Sequence, residues 1–390
     1  MQLIPIQQQL KSSPLADLPA AVGQQLDSLS FDPPQGPVAI TAGSRGIANI
    51  ATILRACGEW LRLHGADPFV VPAMGSHNGG TANGQTAILA ALGITEATLN
   101  MAIRSSMETV QVGAVPAGPV YMDRLAHEAA GVLIVNRVKL HTSFGGPPYG
   151  KHCESGVAKM LTVGLGKTDG AVVFHQASTA EKPPILSALA EQILATEKIF
   201  AGLAILEDGY DQTAELHALP PDKLLAREAE LLAHYELTYF PRLPVDDLNV
   251  LVIEQIGKNF SGTGMDTNVI GRRGLSDAPD PATPSINAIA ALDLSRESCG
   301  NAIGVGLADV VTQRLADATD HAKTQLNART AGGPKKGELP LVLPDDESVI
   351  AWLRENYGES RWMRIPNTLR LDRLHVSKDL LNEGSTFRND

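Results

Sequence analysis

Short apolar runs alternate with longer amphipathic runs along this chain, beginning at about residue 37. Runs such as PVAIT and VLIV have the length of buried strands, whereas the amphipathic runs repeat with the period of a helix. Gly65 and Gly93 follow two of the helical runs, at the position where helices commonly end. The pattern predicts strands at 37–41, 68–72, 132–135 and 201–206, and helices at 47–64 and 85–92.

The alternation continues in the second half of the chain, beyond a proline-bearing linker of sequence PRLPVDD. Strands separated by helical spacers indicate an α/β fold with mainly parallel sheets. The predicted elements are a helix at 222–234, strands at 250–254, 289–294 and 369–376, a helix from 307 to about 326, and a strand–helix pair within 341–356.

Two domains are predicted, because 390 residues exceed what one hydrophobic core usually supports. We expect an N-terminal cofactor-binding domain at 1–240, a C-terminal α/β domain at 248–345, and a tail at 346–390 that could return to the first domain. We also expect the active site to lie in the cleft between the two domains.

Composition narrows the class of protein. An apolar content of 44% and a charged content of 19% indicate a folded protein. The net charge of −11, without a basic tract, argues against nucleic-acid and anionic-membrane partners. Three widely spaced cysteines predict neither a disulfide framework nor a zinc site. With no signal-peptide pattern and no long apolar run, we expect a cytoplasmic protein.

The segment 136–175 holds the densest candidate chemistry. It carries His141, His152, His175 and Lys159 among many glycines. An amine and imidazole nitrogens in one pocket offer covalent attachment, metal ligation and proton transfer. Lys159 and His175 are too far apart for one helical face, and the spacing is natural for a loop–helix–strand passage.

A phosphate-loop interpretation of the same segment is rejected. Gly145 to Lys151 matches the spacing of that loop, but His152 stands where a Ser or Thr would hold magnesium. Two prolines also remove N–H donors that a phosphate cradle needs. We expect His152 to face solvent.

Two glycine-containing turns follow the first two predicted strands. Gly43, Ser44 and Arg45 form either an anion site at a helix N-terminus or a plain N-cap with a solvated arginine. His77, within GSHNGG, follows the second strand. Because ligands of open α/β sheets bind beyond the carboxyl ends of strands, a functional role is favoured for His77 over that of a solvated loop residue.

A polar glycine loop, GKNFSGTGMDTN, follows the strand predicted at 250–254. It is either an ordinary polar loop or a ligand-facing one, and its length favours the second interpretation. The side chains in question are those of Lys258, Asn259, Asp266 and Asn268. No GxGxxG fingerprint follows any predicted strand, which disfavours a nicotinamide-dependent dehydrogenase.

Taken together, SR after the first strand, GSH after the second, and NRVKxH…ESGxxKMLxxGLGK…H resemble the nickel-pincer lactate racemase family over most of residues 37–330. The resemblance implies a pyridinium-3,5-bisthiocarboxylic acid mononucleotide-type cofactor, bonded through a thioacid group to Lys159. It also implies that nickel is held by one carbon and two sulfurs of that cofactor and by His175.

The same resemblance implies a catalytic role for His77 and His141 as acid and base, with Arg45 as the matching arginine. The residues at the cofactor would be Lys159, Ser44, Ser155 and Gly156. The implied reaction is racemisation or epimerisation of a 2-hydroxy acid by hydride transfer to the cofactor. Cofactor-synthesis enzymes would be partners, and the oligomeric state stays open. The alternative is a non-catalytic nickel- or cofactor-binding protein of the same fold.

Two departures from the family pattern concern the substrate. Ala42 stands three positions before Arg45, where the family commonly has an acidic residue. Asp266-Thr267-Asn268 is followed by VIGR, without the family's Tyr-Gln pair and lysine. We therefore expect Lys258, Asn259, Asp266 and Asn268, opposite Arg45, to select a larger or polyhydroxylated 2-hydroxy acid over lactate.

Overall fold

The structure is a computed structural model that describes residues 2–145, 152–330, 333–382 and 387–388. Its contacts group into two compact units, Lys11–Phe240 and a second unit made of Met1–Leu10 with Pro241–Asp390. The strands are β1 (Ile4–Gln8), β2 (Gly36–Ala42), β3 (Ala66–Pro72), β4 (Thr109–Val115), β5 (Gly118–Asp123), β6 (Gly131–Arg137), β7 (Ile199–Glu207), β8 (Thr213–Leu219), β9 (Asp247–Ile256), β10 (Ser285–Leu294), β11 (Val310–Thr312), β12 (Leu341–Leu343), β13 (Trp362–Ile365), β14 (Arg373–Val376) and β15 (Phe387–Arg388).

Helices cover much of the remaining described chain. They are α1 (Leu18–Asp27), α2 (Ile50–Leu63), α3 (His77–Gly80), α4 (Ala82–Ala91), α5 (Glu96–Leu99), α6 (Arg124–Glu128), α7 (Val157–Lys159), α8 (Lys167–His175), α9 (Lys182–Leu194), α10 (Leu224–Thr238), α11 (Thr267–Ile270), α12 (Gln313–Ala318), α13 (His321–Thr330) and α14 (Asp346–Tyr357). A π-helical turn, Met160–Gly164, follows α7 directly. No helix of the described residues is long and apolar enough to span a membrane.

The unit Lys11–Phe240 is built on a five-stranded sheet in the order β3-β2-β6-β7-β8. Its first four strands are parallel and β8 is antiparallel to β7. Both faces are covered: Val38 and Ile40 pack on the side of α2, whereas Ala39 and Ile134 pack on the side of α8 and α9. Burial on both faces explains why these strands appear in the sequence as continuous apolar runs.

The order of the strands reverses at β2, which has β3 on one side and β6 on the other. The pairing of β2 with β6 ends at Ile40 and Leu133. Beyond that point, the Thr41 hydroxyl accepts the backbone N–H of Val135 at 2.9 Å. Such a reversal point is where open α/β sheets bind ligands, at the carboxyl ends of the strands.

The second unit has an eight-stranded sheet in the order β12-β11-β10-β9-β13-β14-β1-β15. β9 to β13 form its parallel part, and β14 and β1 continue it in antiparallel pairs. This differs from the expected return of tail 346–390 to the first domain. β13 pairs with β9 and β14 pairs with β1, so the tail and the first ten residues complete the second sheet.

The helix predicted from 307 to about 326 is wrong as one element. Strand β11 occupies Val310–Thr312, and the Thr312 hydroxyl then accepts the N–H of Leu315 at 3.2 Å to start α12. A buried β-branched run joins the sheet here, so tertiary pairing overrides the helical period. The α/β fold class with mainly parallel sheets is confirmed.

A fully buried ion pair fixes the turn between the π-helical turn and α8. Lys167 Nζ lies 2.9 Å from Asp123 Oδ2, and both side chains are 0% exposed. The amine also donates to the Pro72 carbonyl at 2.5 Å and to Gln85 Oε1 at 3.3 Å. Burial lowers the pKa of Lys167, and Asp123 opposes that effect. Lys167 is therefore a structural lysine that ties β3, α4 and β5 together.

Replacing Lys167 with methionine should lower the free energy of unfolding by about 3–5 kcal/mol, because it leaves the Asp123 carboxylate buried without its counter-ion. Arg124→Met is the matched control, since Arg124 forms exposed ion pairs and its loss should cost about 0–1 kcal/mol. Urea unfolding followed by circular dichroism measures both. Equal, small shifts of the two midpoints would contradict a structural role for the buried pair.

Candidate active site

Two backbone hydrogen bonds bring the candidate histidine and lysine together. Beyond β6 the chain stays extended to Lys139, whose N–H donates to the Ser155 carbonyl at 2.9 Å, with the reciprocal bond at 3.3 Å. Gly156 follows this bridge and leads directly into α7, which ends at Lys159. His141 lies two residues beyond the bridge on the other strand, so the two side chains start from adjacent backbone.

The Lys159 amine lies 2.5 Å from Nε2 of His141. The backbone N–H of Ser143 donates to Nδ1 of the same ring at 3.0 Å. Because Nδ1 accepts this hydrogen bond, the neutral ring carries its hydrogen on Nε2. The Nε2–H group then donates a hydrogen bond to the amine. The arrangement therefore fits an unprotonated lysine. Phe144 stacks on the imidazole at 4.0 Å between ring centroids and holds its plane.

The electrostatic surroundings favour the same protonation state. The pKa of Lys159 is lowered to about 7, first by loss of hydration and then by the positive charges of Arg45, Lys139 and Lys182. The Glu154 carboxylate acts in the opposite direction. A lysine with this pKa offers a nucleophilic amine at neutral pH, which a solvated lysine does not.

His175 is the last residue of α8, and the passage from Lys159 is helix, π-helical turn and helix. The expected loop–helix–strand passage is therefore wrong, because Lys167 adopts a left-handed conformation and turns the chain into α8. The pKa of His175 is lowered to about 4 by loss of hydration and by Lys159 and Lys182. Part of the residue is exposed, so water screens some of this effect, but the ring stays neutral at pH 7.

Ser44 and His77 form a second polar pair, with Ser44 Oγ 2.5 Å from His77 Nδ1. Ser44 is not a helix N-cap, which corrects that expectation: α2 begins at Ile50 after Asn49. His77 begins the irregular turn α3 rather than lying in an open loop. A hydroxyl both donates and accepts, so either neutral tautomer of His77 keeps this partner.

The loop that carries Ser44 and Arg45 is held by a buried carboxylate at the end of β7. Glu207 Oε1 accepts the N–H of Ala48 at 2.6 Å, and Glu207 also pairs with Arg137. Arg45 is exposed, and its pKa is lowered by loss of hydration and by Arg137. Arg45 thus lies near other cations, and its role as an anion site stays a prediction.

Ser155 and Gly156 contribute backbone rather than side-chain chemistry. The Gly156 carbonyl accepts a hydrogen bond from the Asn136 side-chain amide at 2.7 Å.

His152 is half-buried rather than solvent-facing, because the chain returns to the core at Cys153 and Glu154. Residues 146–151, including Lys151, lie outside the described residues.

The four candidates of the second unit make contacts within that unit. Lys258 Nζ donates to Asn327 Oδ1 at 2.6 Å, and Asn259 Oδ1 accepts the Ser295 hydroxyl at 2.6 Å. Asp266 caps α11 by accepting the N–H of Asn268 at 2.9 Å. Capping explains the acidic residue at this position without a ligand, so contact of these residues with a substrate stays a prediction.

Several residues of the site were not singled out from the sequence. Lys139 stands within the quoted NRVKxH motif, but a lysine after a buried strand gives no signal of its own. Lys182 begins α9 after a loop, and its positive charge lowers the pKa of Lys159. The sequence analysis also missed three buried glutamates whose side-chain oxygens accept backbone N–H groups, namely Glu154, Glu207 and Glu228.

Within the described residues, no group of three or more His, Cys, Asp or Glu side chains is placed to hold a metal ion. A metal here would need donors from a bound group in addition to one histidine. The cations around Lys159 favour an anionic ligand. The site therefore combines a lysine amine of lowered pKa with the imidazoles of His141 and His175 and with positive charge.

Neither a scan of family models nor a search of curated proteins finds a match to this sequence. The fold has clear counterparts among solved structures. The lactate racemase apoprotein from Thermoanaerobacterium thermosaccharolyticum aligns over 95% of this chain and 99% of its own, with a TM-score of 0.54 and 12% identity. A protein from Thermotoga maritima aligns over 93% and 99%, with a TM-score of 0.53 and 12% identity. These likenesses show the fold.

Labelling of Lys159 by acetic anhydride should rise with pH through a midpoint near its pKa of about 7. At pH 7 the free-amine fraction should exceed that of a lysine with the model-peptide value by roughly 10³-fold. Peptide mass spectrometry measures the labelled fraction, with exposed Lys223 as an internal reference. A Lys159 midpoint at or above about pH 9 would contradict the neutral-amine assignment.

Proposed function

We propose that this protein is a racemase or epimerase of a 2-hydroxy acid that works with a nickel-pincer nucleotide attached to Lys159. The observation that carries the proposal is the position of the Lys159 amine, which lies 2.5 Å from His141 Nε2 and whose pKa burial and neighbouring cations lower to about 7. The sequence resemblance and the lactate-racemase-like fold support it independently.

The residues fit such a group in their donor chemistry. Lys159 would supply the amine that replaces the oxygen of a thioacid group and releases it as water, whereas Lys167 is occupied by its ion pair with Asp123. His175 supplies one neutral imidazole, and nickel accepts imidazole together with soft sulfur donors. Arg45, Lys139 and Lys182 would balance the negative charge of phosphate and carboxylate groups. When bound, this cofactor accepts and returns the hydride of the substrate's α-carbon.

Proton transfer falls to His77 and His141. His77 can present an unprotonated Nε2 while Nδ1 donates to Ser44, so it can take the hydroxyl proton of the substrate. His141 has its hydrogen on Nε2 and can donate it to the oxygen of a re-reduced product. Arg45 would bind the substrate carboxylate, for which a guanidinium offers two parallel donors. Inversion requires both histidines because each enantiomer needs its own proton acceptor.

Replacing either His77 or His141 with alanine should lower the rate of interconversion by about 10²–10⁴-fold in both directions. Cofactor mass and nickel content should stay unchanged, because neither residue is the proposed tether or metal ligand. Chiral chromatography of the product measures the rate, and intact-protein mass spectrometry measures loading. Full activity in either variant would refute the acid–base assignment.

Attachment and metal binding are tested on protein co-expressed with the cofactor-synthesis enzymes. Lys159→Ala should show no cofactor adduct, whereas His175→Ala should keep the adduct and lose most of the nickel. An adduct mapped to Lys151 or Lys167 would overturn the tether. A loaded wild-type protein that turns over no 2-hydroxy acid would instead support a non-catalytic cofactor-binding protein.

The substrate itself is proposed as a 2-hydroxy acid larger or more hydroxylated than lactate, with Lys258, Asn259, Asp266 and Asn268 as its selecting residues. The motivation is the departure of this loop from the family pattern. Incubating the loaded protein with a panel of 2-hydroxy acids decides the point. A clear preference for lactate would contradict this choice of substrate.

A further inference from the structure

A glutamate occupies a core position of the helix that packs beneath Lys159. Leu224, Glu228, Leu231 and Leu232 form the buried face of α10, and Glu228 is 0% exposed. The helical period calls for an apolar residue at this position. A buried carboxylate is costly unless polar groups satisfy it, so its presence needs a reason.

The contacts of Glu228 supply that reason. Its Oε2 accepts the backbone N–H of Ala158 at 2.6 Å, one residue before Lys159. Gly156 lies against the same carboxylate, and a Cβ at that position would collide with Oε1. The backbone of Gly156 is extended, so its glycine is required by space and not by conformation.

We propose that Glu228 is a positioning residue for Lys159: its carboxylate fixes the first turn of α7 and thereby holds the lysine amine against His141. The Lys139–Ser155 bridge fixes the chain before this turn, and Glu228 fixes the turn itself. Carboxylates suit this place because the N-terminal turn of a helix presents free N–H donors.

The protonation of Glu228 is compatible with this role. Burial raises its pKa to about 7, and the Ala158 N–H, the Cys153 thiol and the Val157 N–H act in the opposite direction. An oxygen can accept the Ala158 N–H in either charge state. The role therefore requires an acceptor at a fixed place, and Glu228→Gln should preserve it.

The test measures the pH midpoint and extent of Lys159 acetylation in the cofactor-free protein, with thermal unfolding recorded in parallel. Glu228→Met removes the acceptor and retains bulk, and should raise the Lys159 midpoint by at least about one pH unit, since the released amine regains water. Labelling at pH 7 should then fall at least about tenfold. Glu228→Gln should stay near the wild-type midpoint.

Matched variants distinguish an effect on the position of Lys159 from an effect on the stability of the fold. Glu230→Met changes an exposed glutamate of the same helix and should leave the Lys159 midpoint unchanged. Gly156→Ala pushes the carboxylate away and should act like Glu228→Met, whereas Gly23→Ala, which meets no atom within 4 Å, should not. Should Glu228→Met fail to fold, Gly156→Ala carries the same test, with Glu228→Asp as a third variant.

A lower unfolding temperature with an unchanged Lys159 midpoint in Glu228→Met would overturn the proposal and leave Glu228 a purely structural residue. A shift in Glu228→Gln equal to that in Glu228→Met would overturn it as well, because charge would then matter and position would not. The inference takes its functional meaning from the proposed tether. Its test uses no cofactor, so failure of cofactor attachment elsewhere does not affect the outcome.

Discussion

The geometry of the candidate site depends on one short backbone pairing, the bridge between Lys139 and Ser155. It joins the extension of a central buried strand to Ser155, two residues before α7, so His141 and Lys159 follow the two sides of the bridge by two and four residues. A slip of one residue in this pairing would displace the start of α7 relative to His141. The 2.5 Å contact between amine and imidazole therefore depends on this backbone pairing.

Around the candidate site, buried carboxyl groups and cationic side chains have different roles. Glu154, Glu207 and Glu228 are buried, and each accepts a backbone N–H of a segment that carries a candidate residue. The cations Arg45, Lys139 and Lys182 instead act on Lys159 through space. The carboxyl groups thus hold the backbone, while the cations add to the effect of burial in lowering the pKa of the amine and favour an anionic ligand. The net charge of −11 gives no indication of this local group of cations.

Patterns that depend on local sequence were predictable. The strands at 37–41 and 132–135 are predictable because burial on both faces gives continuous apolar runs, and candidate site residues could be sought beyond them because parallel strands end at one edge. Long-range pairings were not predictable. The sequence of strand β1 resembles an ordinary polar segment, and its strand structure depends on pairing with β14. Strand β11 interrupts a helical period because it pairs with β12 in the sheet.

The candidate site shows the same division at the level of single residues. His77, His141 and Lys159 could be found because their types carry chemistry. Glu228 could not, since its role depends on which backbone N–H lies above α10. A glutamate on the apolar face of a predicted helix is nevertheless a signal visible in sequence, because burying a carboxylate without partners is unfavourable.

The two histidines differ in what their second nitrogen contacts, and this difference bears on the proposed chemistry. His77 faces a hydroxyl that can reverse its hydrogen bond, whereas His141 faces the N–H of Ser143, which cannot. With a free amine at Lys159, the Nε2 hydrogen of His141 is directed at the amine lone pair. On the proposed function, attachment would delocalise that lone pair, and the amine would cease to be an acceptor. The Nε2 hydrogen of His141 would then be available to a substrate oxygen, so proton transfer by His141 would require the tether to have formed.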